Sequence, residues 1–393
     1  MRNLFRYNPI LPSILIFFFS GYANAQTEAD KFISDTTALT RTREFEVLLE
    51  TLREKYSIPS ISAGVVKNKI VIWKKGFGYA DIENKIVPDE NTIYHLASIT
   101  KTFGFIILMQ LVEQEKVKLA DPVTQYNIHL GARWNDDPRI HVKHLLTHTA
   151  QGNSFNGFKP GYTFRYNGDY YSQIGKVIGK ASGNTFAELV VDHIIIPLRL
   201  SHTGPTVDDS VNFNLTGYDA ASFRKALAKP YDYDKRKQKI VSIPYPIHFS
   251  PAAGLMSCVT DLATYSNAID DKMFLSSSTW EQIFTPTVTK RGKVLPYGLG
   301  WFVRSYKGVK YVWHTGWWQG SSSLIIKVPE KNLTFIVLAN SQDLSRPFYA
   351  RLPIYFRRSL NKNLRASAFA RAFIQYFVEQ QESQNSLTPK LKN

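Results

Sequence analysis

A mixed α/β fold of the α+β kind is what the sequence predicts: one antiparallel β-sheet, flanked by terminal helices and split by an inserted, mainly helical lobe. Three observations predict it. Early in the chain, Ile61-Ser-Ala-Gly-Val-Val66 and Ile70-Val-Ile-Trp73 flank the polar step Lys67-Asn-Lys69, the pattern of a β-hairpin. From about Gly298 the period is again that of strands. Between the two, from Ser98 to about Tyr265, the pattern is mainly helical and broken by loops rich in Gly, Pro, Asn and Asp.

Taken in order, residues 1–25 read as a secretory signal. Arg2 and Arg6 form a basic start, Ile10 to Phe19 an apolar stretch, and Ala23-Asn24-Ala25 a small-x-small cleavage pattern. The stretch is short for a span of about 20 apolar residues, so cleavage after Ala25 and a secreted or periplasmic location are expected, with no stable membrane span afterwards. An uncleaved anchor is the alternative. Glu44 to Tyr56 then forms an amphipathic helix, followed by the hairpin. The domain runs over 26–382, with a sheet lobe drawn from about 26–90 and 290–382 and a helical lobe from about 91–289. Phe186 to His193 and Thr260 to Ala268 are further helices within the insertion. The late strands are Gly300 to Arg304, Val309 to Trp313, Ser322 to Val328 and Leu333 to Ala339, the last pair turning at Pro329-Glu-Lys-Asn332. Ala366 to Glu382 closes the chain as a helix, and the polar tail 383–393 is expected to be disordered.

Composition narrows the function classes. The chain is 44% hydrophobic, 13% aromatic and 20% charged, without a low-complexity tract, which is globular. Net charge is +16, of which residues 1–25 carry +2, but the cations are scattered rather than gathered in a stripe. Together with export, this argues against a nucleic-acid partner and suits a weak attraction to anionic surfaces or acidic substrates. The single cysteine, Cys258, excludes an intrachain disulfide, and its apolar surroundings mark a buried structural thiol.

The chemistry is carried first by Ser98-Ile-Thr-Lys101 at the head of the apolar run Phe103 to Val112. On a helix, residues three apart share a face, so the Lys101 amine can reach the Ser98 hydroxyl and ease loss of its proton. The free N–H groups and positive dipole end of the first turn favour developing negative charge. A capping serine beside a solvated lysine is the bland reading of the same pattern, and two later segments weigh against it. Pro160-Gly-Tyr-Thr-Phe-Arg-Tyr166-Asn167-Gly168 puts a phenol on a loop just before a helix, where Tyr166 can act as general base and acid. Trp313-His314-Thr315-Gly316-Trp317 lies on a strand, where Gly316 lets substrate approach the backbone and the Trp317 N–H can join that of Ser98 in an oxyanion hole.

With these motifs the chain resembles a serine β-lactamase-related hydrolase of the class C type, from the superfamily that includes penicillin-binding D,D-peptidases and esterases. Ser98-x-x-Lys101 matches its first motif, Pro160-Gly161 with Phe164 and Tyr166 the segment bearing its tyrosine, and His314-Thr315-Gly316 its third. Supporting segments keep family order: His144-Leu-Leu-Thr-His-Thr149, Pro251-Ala-Ala-Gly-Leu-Met-Ser257 with Asp261-Leu-Ala263, and Tyr297-Gly-Leu-Gly-Trp301. The resemblance covers about residues 45 to 345. It implies a β-lactamase/transpeptidase-like fold, an acyl-enzyme on Ser98, and substrate contacts from Asn167, His314, Thr315 and Gly316, with no cofactor and no metal.

Two departures stand out. The family's Tyr-x-Asn reads Tyr166-Asn167-Gly168, so Asn167 can serve only by a shift of one residue. His314 replaces the commoner lysine and holds a substrate carboxylate less firmly. Both argue against an efficient β-lactamase and leave acyl transfer intact. The substrate is a β-lactam, a cell-wall D-peptide or an ester. A non-catalytic protein that binds penicillin or cell-wall peptide at a decayed site is the alternative, disfavoured by retention of Ser98, Lys101 and Tyr166. His144 and His148 lie four apart, but no Glu follows His144, so the zinc-binding HExxH pattern is not met. Trp313, Trp317 and Trp318 suit either substrate stacking or sheet packing.

Overall fold

The computed structural model describes residues 36–130, 137–151, 159–349 and 363–379. The expected leader and the polar tail lie outside them. The first helix, α1 (Thr36–Lys55), starts earlier than its apolar pattern suggested and leads into the hairpin β1 (Ser60–Lys67) and β2 (Ile70–Gly78). Asn68 and Lys69 take φ of +50° and +67° at the turn, the left-handed pair that matches strand twist in a two-residue hairpin.

The helical insertion contains α2 (Thr100–Glu113), α3 (Val142–Leu146), α4 (Gly168–Ser172), α5 (Ile174–Ser182) and α6 (Val259–Asp270). α2 is apolar around most of its circumference and sits at the centre of the lobe, buried from Thr100 to Met109. A short hairpin, Tyr231–Asp234 with Lys239–Ser242, also lies in this insertion. It went unforeseen because its turn, Lys235-Arg-Lys-Gln238, has the composition of a plain polar loop.

The meander follows as β3 (Phe302–Tyr306), β4 (Val309–Trp318), β5 (Ser321–Val328) and β6 (Leu333–Ala339). All six strands join one antiparallel sheet in the order β2-β1-β6-β5-β4-β3. The central pairing sets Ile61 against Ala339 and Val65 against Phe335, so the two ends of the chain are sewn together. β4 runs past Trp313 to Trp318, which carries the His314 motif inside the sheet. β3 starts at Phe302 because Gly300, with φ +78°, turns the chain where a side chain would meet the Phe105 ring.

Both faces of the sheet are covered. Phe335, Val337, Leu324 and Trp313 pack with Phe45 of α1 and Phe373 of the closing helix, α7 (Ala368–Phe373). Val312, Ile325, Ile336 and Leu338 face the helical lobe. Burial on both sides explains the unbroken apolar run of β6, where strict alternation would mark a half-exposed strand. Each fully buried side chain of this size contributes about 1.5–3 kcal/mol. α7 is capped by the Ser367 hydroxyl, which accepts from the Ala370 N–H at 3.2 Å, and passes into a wider turn, Ile374–Glu379. No helix among the described residues is long and apolar enough to cross a membrane.

Candidate active site

Ser98 sits in one turn of 3-10 helix, Ala97–Ile99, that runs directly into α2. Ala97 has φ +49°, a left-handed conformation costly for any residue with a Cβ. Two contacts hold it there. The Ala97 N–H donates to His95 Nδ1 at 3.2 Å, and the Ser323 hydroxyl of β5 donates to the Leu96 carbonyl at 2.7 Å. Backbone strain is thus stored beside the candidate nucleophile.

Lys101 follows one helical turn later. Its Nζ lies 3.0 Å from Ser98 Oγ and donates to the Ala252 carbonyl at 2.8 Å. The side chain is 1% exposed, and Nζ stands over the rings of Tyr166 and Tyr171 at 5.1 and 5.3 Å. Among the described residues no carboxylate forms an ion pair with it. Burial pushes the amine down to about 7, against a weaker upward pull from Asp169. A neutral amine has two N–H groups and one lone pair. The Ala252 carbonyl takes one N–H, and the lone pair can accept the Ser98 hydroxyl proton.

Tyr166 is placed by the chain on either side of it. The Gly161 N–H donates to the Thr149 carbonyl at 2.9 Å, and the Arg165 N–H to the His148 carbonyl at 2.8 Å. The Asn167 N–H donates to His148 Nδ1 at 3.2 Å. The Tyr166 ring lies 4.2 Å from that of His148 and 6.2 Å from that of His314. Ser98, Lys101 and Tyr166 therefore share one cluster between the helical lobe and β4.

The four expected substrate contacts are placed differently from the sequence expectation. Asn167 spends its side chain on structure: Oδ1 accepts from the Tyr170 N–H at 3.1 Å, capping α4, and Nδ2 donates to Gln151 at 3.0 Å. His314 is fully buried. Its Nδ1–H donates to the Thr315 carbonyl at 2.9 Å, which leaves Nε2 to accept from the Tyr297 hydroxyl at 3.0 Å. Burial and nearby Lys101 hold this imidazole down at about 3, so it is neutral. Thr315 points to the opposite face of the sheet, with its hydroxyl 2.9 Å from that of Ser345.

Gly316 leaves room for the protein rather than for substrate. A Cβ there would overlap Ser323 Oγ and the Leu96 carbonyl oxygen, and would crowd Ala97 Cβ at 3.1 Å. The absent side chain lets β4 lie against the turn that carries Ser98, with Trp317 next in the strand. Gly316→Ala is therefore expected to cost about 1–3 kcal/mol in denaturant unfolding and to slow acylation of Ser98, because strand and turn must separate. An alanine variant with unchanged stability would contradict that packing.

Several residues in the cluster escaped sequence reasoning. His148 was weighed only as half of a zinc-binding pair with His144, and Tyr297 and Ala252 lay in segments noted for their order alone. The tyrosine of Tyr297-Gly-Leu-Gly-Trp301 and the turn before Gly254 were the available signals. Trp313 packs in the core, stacked on Phe302, whereas Trp318 stacks on His248 at 5.8 Å and Trp317 is 42% exposed. Cys258 is buried, and its Sγ accepts from the Asp261 N–H at the start of α6. With His202 and Asp261 it forms a possible metal-ligating set. Asp261 is already engaged there, accepting from the His202 N–H at 2.8 Å and the Thr203 hydroxyl at 2.7 Å.

Comparison with known proteins agrees with this geometry. Protein flp of Staphylococcus aureus (strain MW2) is 24% identical over 364 residues, covering 85% of this chain and 69% of its own length. Penicillin-binding protein 4* of Bacillus subtilis (strain 168) is 22% identical over 339 residues, covering 77% of this chain and 72% of its own. The octameric penicillin-binding protein homologue from Pyrococcus abyssi superposes with a TM-score of 0.66 at 26% identity, over 77% of this chain and 74% of that one. The fold is accordingly that of the β-lactamases and transpeptidases. The Beta-lactamase family model matches residues 45–354, so the chain belongs to that family and is a serine hydrolase of the β-lactamase, D,D-peptidase and esterase type.

Proposed function

We propose that this protein is an exported hydrolase that cleaves an amide or ester through an acyl-enzyme on Ser98. The observation that carries the proposal is the 3.0 Å contact between Ser98 Oγ and a buried Lys101 amine with no ion-pair partner among the described residues. As the Ser98 oxygen bonds to the substrate carbonyl carbon, its proton passes to Lys101. The N–H groups of Ser98 and Trp317 take up the charge on the carbonyl oxygen. When the carbon–heteroatom bond breaks, the proton returns to the leaving alcohol or amine by way of Tyr166. Water then repeats the sequence in reverse and releases the acid.

The surroundings of His314 bear on the substrate class. Its imidazole is neutral, buried and bound to Tyr297, so this position offers no cation for a carboxylate. An acyl ester or uncharged amide suits the site better than a penicillin, whose carboxylate would go unpaired there. A cell-wall D-peptide with a free terminal carboxylate would meet the same lack of a cation at this position.

Intact mass over time, with benzylpenicillin and p-nitrophenyl acetate as probes, tests the reading. An adduct on the wild type that is absent from Ser98→Ala is expected, forming faster with the ester. No adduct with either probe would sink it. Tyr166→Phe is expected to slow acylation about 10²-fold, the scale of a lost general acid–base. Normal rates in that variant would move proton return to Lys101 alone.

A further inference from the structure

We infer that His148 is a positioning residue for Tyr166, gripping the backbone on both sides of it through its carbonyl and its Nδ1 and packing its ring against the phenol. This rests on the acyl-enzyme reading above and adds to it the part that fixes where the phenol stands.

Three contacts converge. The His148 carbonyl accepts from the Arg165 N–H at 2.8 Å, and its Nδ1 accepts from the Asn167 N–H at 3.2 Å, so the residues immediately before and after Tyr166 are tied to one histidine. The ring centroids of His148 and Tyr166 are 4.2 Å apart with a 35° tilt. The same imidazole lies edge-on to Phe164 at 6.0 Å and to Tyr297 at 5.0 Å, and is 3% exposed, so it has little freedom to turn.

The backbone supports the same role. His148 has φ +53°, the left-handed conformation, which histidine adopts more readily than most residues with a Cβ. In that conformation its carbonyl and its ring nitrogen both serve the Tyr166 loop. Burial, with Lys101 and His314 nearby, also holds the imidazole well below its ordinary pKa, so Nδ1 keeps the lone pair that the Asn167 N–H needs. That neutrality leaves no second cation to compete with Lys101.

Asparagine and glutamine separate the two ring nitrogens. Asn places its amide oxygen where Nδ1 lies and tolerates left-handed backbone, whereas Gln places its amide near Nε2 and leaves the Asn167 N–H without its acceptor. The experiment measures acylation of full-length His148→Asn, His148→Gln, Tyr166→Phe and the His148→Gln/Tyr166→Phe double variant with p-nitrophenyl acetate, by burst kinetics and intact mass. His148→Gln is expected to lose about 10²-fold in acylation rate with KM within about twofold, the cost of a displaced catalytic group. His148→Asn should stay within about tenfold of the wild type.

The double variant is expected to be no more than about threefold slower than Tyr166→Phe alone, because His148 acts through the phenol that is already gone. Additive losses in the double variant, or Asn as slow as Gln, would overturn the role. If His148→Gln fails to fold, the Asn arm decides: retention within tenfold supports the role, and a hundredfold loss overturns it. A wild type that is never acylated at Ser98 removes the underlying reading, and the role with it.

Discussion

Replacing Ser98 with alanine is expected to lower acyl transfer by at least about 10³-fold while leaving the protein folded. The hydroxyl is the group whose oxygen would bond to the substrate carbonyl, and no neighbouring side chain can take its place. Lys101 Nζ is within 3.0 Å of it but is directed at Ser98 and the Ala252 carbonyl. The structural cost is small. The substitution removes one hydrogen bond, about 0.5–1.5 kcal/mol, from a turn held independently by His95 and by Ser323. The melting temperature should therefore stay within a few degrees of the wild type, and relief of functional strain can raise it. Intact mass with p-nitrophenyl acetate, together with a thermal melt, checks both halves. A folded Ser98→Ala protein that still turns over the ester, or is acylated elsewhere, would place the nucleophile at another residue.

Much of the fold was legible because its signals are local. The hairpin of β1 and β2 is set by alternating apolar residues around Asn68 and Lys69, and β6 by an apolar run that ends at a polar turn. Nothing local encodes that β1 should pair with β6 more than 260 residues later. The sequence places the hairpin and the meander in one sheet without indicating which of their strands meet. The end of β4 was harder to see, because His314, Thr315 and Gly316 interrupt the apolar pattern for reasons of the site.

The site divides along the same line. Ser98 and Lys101 were readable because the spacing of a helix brings them together within one turn. Tyr166 was readable as a phenol on a loop before a helix. What the sequence could not show is how side chains divide their hydrogen bonds. Asn167 looks like a substrate ligand until Gly168–Ser172 is seen to need a cap, and His314 looks like one until the Tyr297 hydroxyl is seen to donate to its Nε2. Gly316 was read as space for a ligand, whereas Leu96 and Ser323 occupy that space. Each of these partners lies far away in sequence, and each decides which atoms remain for substrate.

The second large effect is expected at Lys101, and it carries a pH signature. Lys101→Met keeps the length of the side chain and removes the base, and acylation should fall by about 10³-fold, within the usual 10²–10⁴ range for a positioned base. Lys101→Arg should be as inactive, since a guanidinium remains protonated at every accessible pH and has no lone pair to accept the Ser98 proton. In the wild type the neutral amine is the active form and its pKa lies at about 7. The acylation rate should therefore rise with pH through that value and level off above it, falling about tenfold for each unit below about 6. Stability should move with the same group. Folding lowers the Lys101 pKa from 10.5 to about 7, so between those values the unfolded chain binds the extra proton and the folded protein gains stability as pH rises. The penalty is complete below about 7, where the buried amine must carry its charge. Lys101→Met never carries it, so the variant should exceed the wild type most at pH 6, with the difference shrinking towards pH 10. Burst kinetics across pH 5–9 and denaturant unfolding at pH 6 and 9 read the two effects separately. A flat rate profile would remove Lys101 as the base even if the stability trend appeared. Agreement of both would tie the proton acceptor to the same burial that makes this lysine costly to keep.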